Sequence, residues 1–176
     1  IGFGSMGQAL ADGLLAAGIV KKEQLYACAQ HWEKLKHNTE IRGMHACKTV
    51  EDTILQSDII LIAIKPDQIP EVLGSVKELL SDKIVISLAA GMFYDTYELL
   101  LLPKTHHLSI IPNMPVSVCE GIILWEQHNS LNAAEAALVE ALLSSVALIE
   151  KLDSEQMTIG ATVAGCGPAF AAMFVE

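Results

Sequence analysis

Residues 1–7 read IGFGSMG, and their spacing decides the fold. Gly2, Gly4 and Gly7 form the pattern G-x-G-x-x-G. Each glycine has a use in that pattern. Gly2 permits a tight turn out of a strand, Gly4 lets the backbone approach a pyrophosphate, and Gly7 lets a helix lie close on a sheet. IGF reads as the tail of a strand. MGQALADGLLAAG follows at helical spacing and stops at Gly18. A helix N-terminus would then face the phosphates, with Ser5 and Met6 between the glycines. By itself the fingerprint is weak; its strand-turn-helix setting makes it a dinucleotide site.

Working outward, short apolar runs alternate with amphipathic ones. LYACA (25–29) and MHACK (44–48) read as short strands. TVED starts a helix, with Thr49 and Asp52 spaced as a capping box. DIILIAI (58–64) and KIVISLAA (83–90) are apolar without alternation, as expected of strands covered on both faces. THHLSII (105–111), GIILWEQ (121–127) and SVALIEKL (145–152) supply further strands. Helices are expected near 68–80 and 94–102, and over NSLNAAEAALVEALLSS. This succession predicts an α/β fold, a Rossmann-type domain with a mainly parallel sheet over residues 1–152. An all-α domain is expected to begin at 153–176, its first helix boxed by Asp153 and Gln156.

Composition narrows the function. Among 176 residues, 52% are hydrophobic and the formal net charge is −10. Arg42 is the single arginine. No basic stripe for nucleic acid or an anionic membrane surface is present. Cys28, Cys47, Cys119 and Cys166 lie far apart, three of them in apolar or small-residue surroundings, and read as buried free thiols of a reducing compartment. With no secretory signal in view, a cytoplasmic location is expected. No HExxH or G-x-S-x-G occurs, and no metal is expected.

In an open parallel sheet, ligands sit beyond the carboxyl ends of the strands. At the second strand the tip is Gln30-His31, with Glu33 beyond it rather than a carboxylate at the tip. Lys34, Lys36 or His31 could meet a 2′-phosphate. The balance tilts to NADP, with NAD as the alternative. Later strand ends carry Lys65-Pro66, Ala89-Ala90-Gly91 and Ile111-Pro112-Asn113-Met114-Pro115. Asn113, confined between prolines, is a candidate donor to a ligand carboxylate or carboxamide. Lys65 is a candidate for cofactor or substrate contact. His106 and His107 have no evident carboxylate partner, and packing or surface roles are expected of them.

The motifs IGFGSMGQAL, AIKP, ISLAAGM, IPNMPVSVCEG and AGCGPAF, in this order, resemble the pyrroline-5-carboxylate reductase family along essentially the whole chain. The resemblance implies an N-terminal Rossmann domain and a C-terminal helical domain that builds a homodimer or larger ring. It implies NAD(P)H-dependent reduction of 1-pyrroline-5-carboxylate, a cyclic imino acid, to L-proline. Gly2, Gly4, Ser5, Met6 and Gly7 then correspond to the pyrophosphate loop, and Lys65 and Pro66 to the lysine-proline near the nicotinamide. Asn113 corresponds to the asparagine of the proline-asparagine loop. Gly165, Cys166, Gly167 and Pro168 correspond to the turn near the substrate carboxylate. Against the family pattern, Ser109 replaces an arginine, Met114 a threonine and Cys166 a serine, and 161–164 read Ala-Thr-Val-Ala. These departures mark a divergent member. The chain is also short for the family, whose C-terminal helices lie beyond it. A 3-hydroxyacid dehydrogenase-type oxidoreductase and a non-catalytic cofactor-binding protein remain alternatives.

Met157–Val175 carries no charged side chain over 19 residues, long enough to span a bilayer. The preceding βα pattern and the absence of a basic flank argue for packing instead. Here the expectation is two helices, with Gly165-Cys166-Gly167 as a turn and Pro168 at the first position of the second. Asn113 and the 165–168 turn would then hold substrate beside the nicotinamide.

Overall fold

A computed structural model of the chain describes residues 1–175. Two groups of strands form. β1 (Tyr26–Ala27) and β2 (His45–Ala46) pair in parallel. β3 (Ile59–Ile62), β4 (Ile84–Ser87), β5 (His106–Pro112), β6 (Gly121–Glu126) and β7 (Ala147–Leu152) form a second sheet in that order. The opening segment Ile1–Phe3 joins them. Gly2 N–H donates to Cys28 O (2.9 Å) on one side. On the other, the Ile1 nitrogen donates to Leu61 O (2.7 Å) and Ala63 N–H to Ile1 O (2.8 Å), the alternation of a parallel ladder. The chain runs outward from this segment to β1 and β2, then returns to build β3, β4 and β5 on its other side. Ile1–Phe3 is therefore the topological switch point, where doubly wound sheets bind ligands.

The helices explain the unbroken apolar runs. α1 (Ser5–Ala16), α2 (Trp32–Glu40) and α6 (Ala133–Ser144) cover one face. There Leu10, Leu14, Val139 and Leu143 meet Ile84, Ile86, Leu108 and Ile110, while Leu35 packs with Phe3 and Ala27. α3 (Val50–Leu55), α4 (Ile69–Val76) and α5 (Tyr94–Leu100) cover the other, packing Ile54, Leu73 and Tyr97 on Ile60, Ile62 and Val85. Strands sandwiched this way bury side chains of both orientations, so their sequence does not alternate.

Three expectations change. β5 and β6 are antiparallel, pairing Ile110 with Trp125 and Pro112 with Ile123, although β6 and β7 are parallel to each other. A short 3₁₀ turn, Met114–Val118, joins β5 to β6, and so short a link reverses the chain instead of crossing over. Thr49 caps α3 by accepting Asp52 N–H (3.0 Å), a one-sided cap rather than the full box. All four cysteines are free, but only Cys28 is buried; Cys47 and Cys119 are half-buried and Cys166 is exposed.

The largest change lies after β7. Asp153 and Gln156 do box a helix start, with Asp153 N–H bonded to Gln156 Oε1 (3.3 Å). The helix then runs on without a turn: α7 (Ser154–Ala161), a π segment (Thr162–Cys166) and α8 (Gly167–Val175) are contiguous. By length and composition this 22-residue run could cross a membrane, with a window of mean hydropathy 1.5 that lies outside the core.

Candidate functional site

The glycine loop satisfies its fingerprint for three separate reasons. Gly2 adopts φ +86°, and a Cβ there would stand 2.5 Å from Ala63 O. A Cβ on Gly7 would stand 2.9 Å from Gly2 O, so only glycine allows α1 to lie this close. Gly4 faces open space, with nothing within 4 Å of an added Cβ, which leaves its backbone approachable. Gly4 is also the N-cap of α1; it has no side chain to cap with, and no acidic residue lies in the first turn. The N–H groups of Ser5, Met6 and Gly7 precede the first intrahelical bond, Gln8 to Gly4 (3.0 Å), and point outward as a donor cluster suited to a pyrophosphate.

At the tip of β1, Gln30, His31 and Lys34 are exposed, and His31 is the N-cap of α2. One cation was missed in the sequence. Lys48, two residues past β2, lies 5.7 Å from the ring centroid of Trp32, the first residue of α2. Only the β1–β2 pairing brings it to this tip. Arg42 is committed elsewhere: its guanidinium binds both carboxyl oxygens of Asp12 (2.6 and 2.9 Å) and Asn38 O (2.8 Å). The Asp12 carboxylate holds its pKa above the usual guanidinium value.

Beyond β3, Lys65 is exposed and enters no ion pair among the described residues; Pro66 starts a 3₁₀ turn. The loop after β4 is braced from below. Ser87 and Tyr97 share a short hydrogen bond, and Ala89 N–H donates to Ser87 Oγ (3.2 Å). Burial pushes the Tyr97 phenol up to about 12. Glu126 is wholly buried, and its carboxyl accepts Tyr94 N–H (3.1 Å) and the Ser154 hydroxyl. One group thus ties the loop's far end to the start of α7. Ser109, at the arginine position of the resemblance, faces Ser87 across the strands with its buried hydroxyl unpartnered among the described residues. Met114, the first residue of the 3₁₀ turn after β5, is half exposed.

Asn113 is buried, at 7% exposure, and largely committed to the fold. Its Oδ1 accepts Ile122 N–H (2.8 Å), its own N–H donates to Ile122 O (3.1 Å), and its Nδ2 donates to Ala164 O (3.1 Å). The expected free donor is therefore a bonded link between the β5 loop and the long helix. Gly165, Cys166, Gly167 and Pro168 lie inside that helix and form no turn, so no second helix start offers N–H groups there. The two histidines keep packing and surface roles, but each has a carboxylate partner that the sequence does not show. His106 Nδ1 meets Glu135 (2.6 Å) and His107 Nε2 meets Glu98 (2.8 Å).

A concavity of about 480 Å³ lies apart from the glycine loop, as an apolar groove where Leu124, Leu148 and Leu152 face Ile159 and Val163. Among the described residues no group of three or more His, Cys, Asp or Glu assembles a metal site.

Comparison with known proteins agrees with this geometry. Residues 1–91 match the family model described as NADP oxidoreductase, coenzyme F420-dependent. Over 100% of its length the chain is 42% identical to a pyrroline-5-carboxylate reductase of Treponema pallidum, covering 68% of that protein. It is 32% identical to pyrroline-5-carboxylate reductase 3 of Macaca fascicularis, covering 64% of it. The structure of the Plasmodium falciparum pyrroline carboxylate reductase with NADP bound superposes with a TM-score of 0.89 at 30% identity, over 99% of this chain and 64% of that one. The chain thus spans about two thirds of the length of these relatives. The glycine loop, the braced strand ends and the alignment from first residue to last agree: the chain belongs to the pyrroline-5-carboxylate reductase family.

Proposed function

We propose that the protein to which this chain belongs reduces 1-pyrroline-5-carboxylate to L-proline with NADPH, with NADH as the weaker donor. The observation that carries this reading is the uncapped start of α1 over the bare Gly4 backbone, placed at the topological switch. Ser5, Met6 and Gly7 N–H groups hold the pyrophosphate. Lys48, Lys34 and His31 lie where a ribose 2′-phosphate would fall, which favours NADPH. When bound, the dihydronicotinamide supplies the hydride that adds to the imine carbon. The chain's task is orientation. Lys65-Pro66 and Ala89-Ala90-Gly91 flank the ring, and the bracing of Ser87 by Tyr97 fixes the second of these walls. Hydride adds to the protonated form of the imine, which water can protonate near neutral pH without a dedicated acid–base pair; holding donor and acceptor carbons together supplies the main acceleration. Substrate is held between these walls and the 162–168 segment, whose chemistry Cys166 makes less polar than the family pattern. The exposed apolar surface of the long helix suits assembly into a homodimer or larger homo-oligomer, and four free cysteines suit a reducing compartment such as the cytoplasm.

The test is consumption of NADPH and NADH by full-length protein given pyrroline-5-carboxylate, with product identified as proline. Turnover with NADPH preferred is expected. Folded protein that binds NADPH tightly yet turns over with neither cofactor would sink the reductase reading and favour a non-catalytic binder. Turnover of a 3-hydroxyacid instead would move the chain to that class.

A further inference from the structure

We infer that Asn113 is a positioning residue that replaces the backbone donor Pro168 lacks, and so sets the course of the long helix past the cofactor face of the sheet. In an α-helix the N–H of residue 168 would bond the carbonyl of residue 164. Pro168 has no N–H, and its ring crowds that same carbonyl. A kink or a break is the ordinary result. Here the helix stays continuous. Residues Thr162–Cys166 widen into a π segment, and the carbonyl of Ala164 accepts a hydrogen bond from Asn113 Nδ2 (3.1 Å).

The orientation of the amide is fixed by its other partner. Ile122 N–H needs an acceptor and takes Asn113 Oδ1 (2.8 Å), so Nδ2 must face Ala164. Asn113 is itself held by its N–H bond to Ile122 O (3.1 Å) at the end of β5. The pin therefore runs from a strand end to the carbonyl that the proline deprives, 51 residues along the chain. Aspartate would keep the oxygen for Ile122 and present an acceptor to an acceptor at Ala164. Alanine would remove both bonds. The proline creates the need and the asparagine meets it, so the two residues act as a pair.

A double-mutant cycle on the full-length protein tests this, using Asn113→Asp, Pro168→Ala and the double variant. Pro168→Ala returns a helical donor to Ala164. Asn113→Asp alone is expected to lower kcat/KM for pyrroline-5-carboxylate about tenfold or more, while NADPH affinity stays within about twofold; in the Pro168→Ala background the same change should cost about threefold or less. Urea unfolding midpoints of the four proteins should show the same non-additivity. Only the kinetic arm rests on the proposed reductase activity. If the parent does not turn over, that reading fails and the unfolding cycle still decides the pin. Where Asn113→Asp does not fold, Asn113→Ala replaces it in the cycle. Equal cost of the Asn113 substitution in both backgrounds overturns the pin and returns Asn113 to direct ligand contact.

Discussion

Two glycine-bearing stretches, residues 2–7 and 165–168, both look like places where a chain turns into a helix and offers N–H groups to an anion. Only the first is one. At the first, Gly2 is forced to positive φ and Gly2 and Gly7 sit against backbone that tolerates no Cβ. At the second, Gly165 and Gly167 face open space at helical dihedrals, and the helix runs through. A glycine signals a site when the surrounding fold compresses it; glycine in an uncrowded apolar helix is only a small residue. The difference also divides the molecule. The sheet-borne wall rests on buried, internally bonded groups, Ser87, Tyr97, Asn113 and Glu126. The helix-borne wall is exposed along α8, with Phe174 90% accessible.

Substitution at the two stretches gives the strongest way to break this comparison. Gly2→Ala should lose about 3 kcal/mol or more of stability and with it NADPH binding, because φ and sterics both oppose it. Urea unfolding with a fluorescence titration measures both; a variant of parental stability would show that the tight turn is not compressed. The buried brace comes next. Tyr97 stays neutral in the folded protein until about 12, above its ordinary value of 10. As pH rises between these values the unfolded chain releases this proton and the folded chain keeps it, so stability falls, by about 2–3 kcal/mol at most. It is fully present below pH 10 and lost as pH approaches 12. Tyr97→Phe should flatten that decline in unfolding free energy measured against pH.

A smaller effect tests the nucleotide tip. Lys48→Ala should weaken NADPH by about tenfold and leave NADH nearly unchanged, since one charged hydrogen bond to a phosphate is worth about 1.4 kcal/mol. Equal loss for both cofactors would place Lys48 against something other than a 2′-phosphate. The smallest effect closes the comparison: Gly165→Ala should be neutral or stabilise by about 0.5–1 kcal/mol, the usual gain for a helix interior. A loss of several kcal/mol there would mean the segment does leave the helix.

Much of this was legible in the residues because the strands are buried on two faces. DIILIAI and KIVISLAA lack alternation, and that alone implied helices above and below. What stayed hidden depends on meetings between distant positions. Glu135 reaches His106 from 29 residues away and Lys48 reaches Trp32 from the next βα unit, so neither the histidine pairing nor the third cation at the tip leaves a local mark. The reversal at β6 leaves no mark in the strand itself, since an apolar strand reads alike in either direction; its signal is the link between Pro112 and Gly121, too short for a crossover. At 165–168 the ordinary meaning of glycine and proline as helix punctuation was outweighed by a wider helical turn and an amide supplied by the β5 loop.

Ile1–Phe3, the segment hydrogen-bonded to both β1 and β3, has a consequence for when the molecule acquires its nucleotide site. IGFGSMG is contiguous in sequence, yet its shape depends on Cys28 on one flank and on Leu61 and Ala63 on the other, the last two about 60 residues away. On the ribosome the loop cannot be held in its final form until Ala63 has emerged. The most local motif in the chain is thus assembled from non-local contacts, and cofactor binding during refolding should report closure of the central sheet rather than formation of α1.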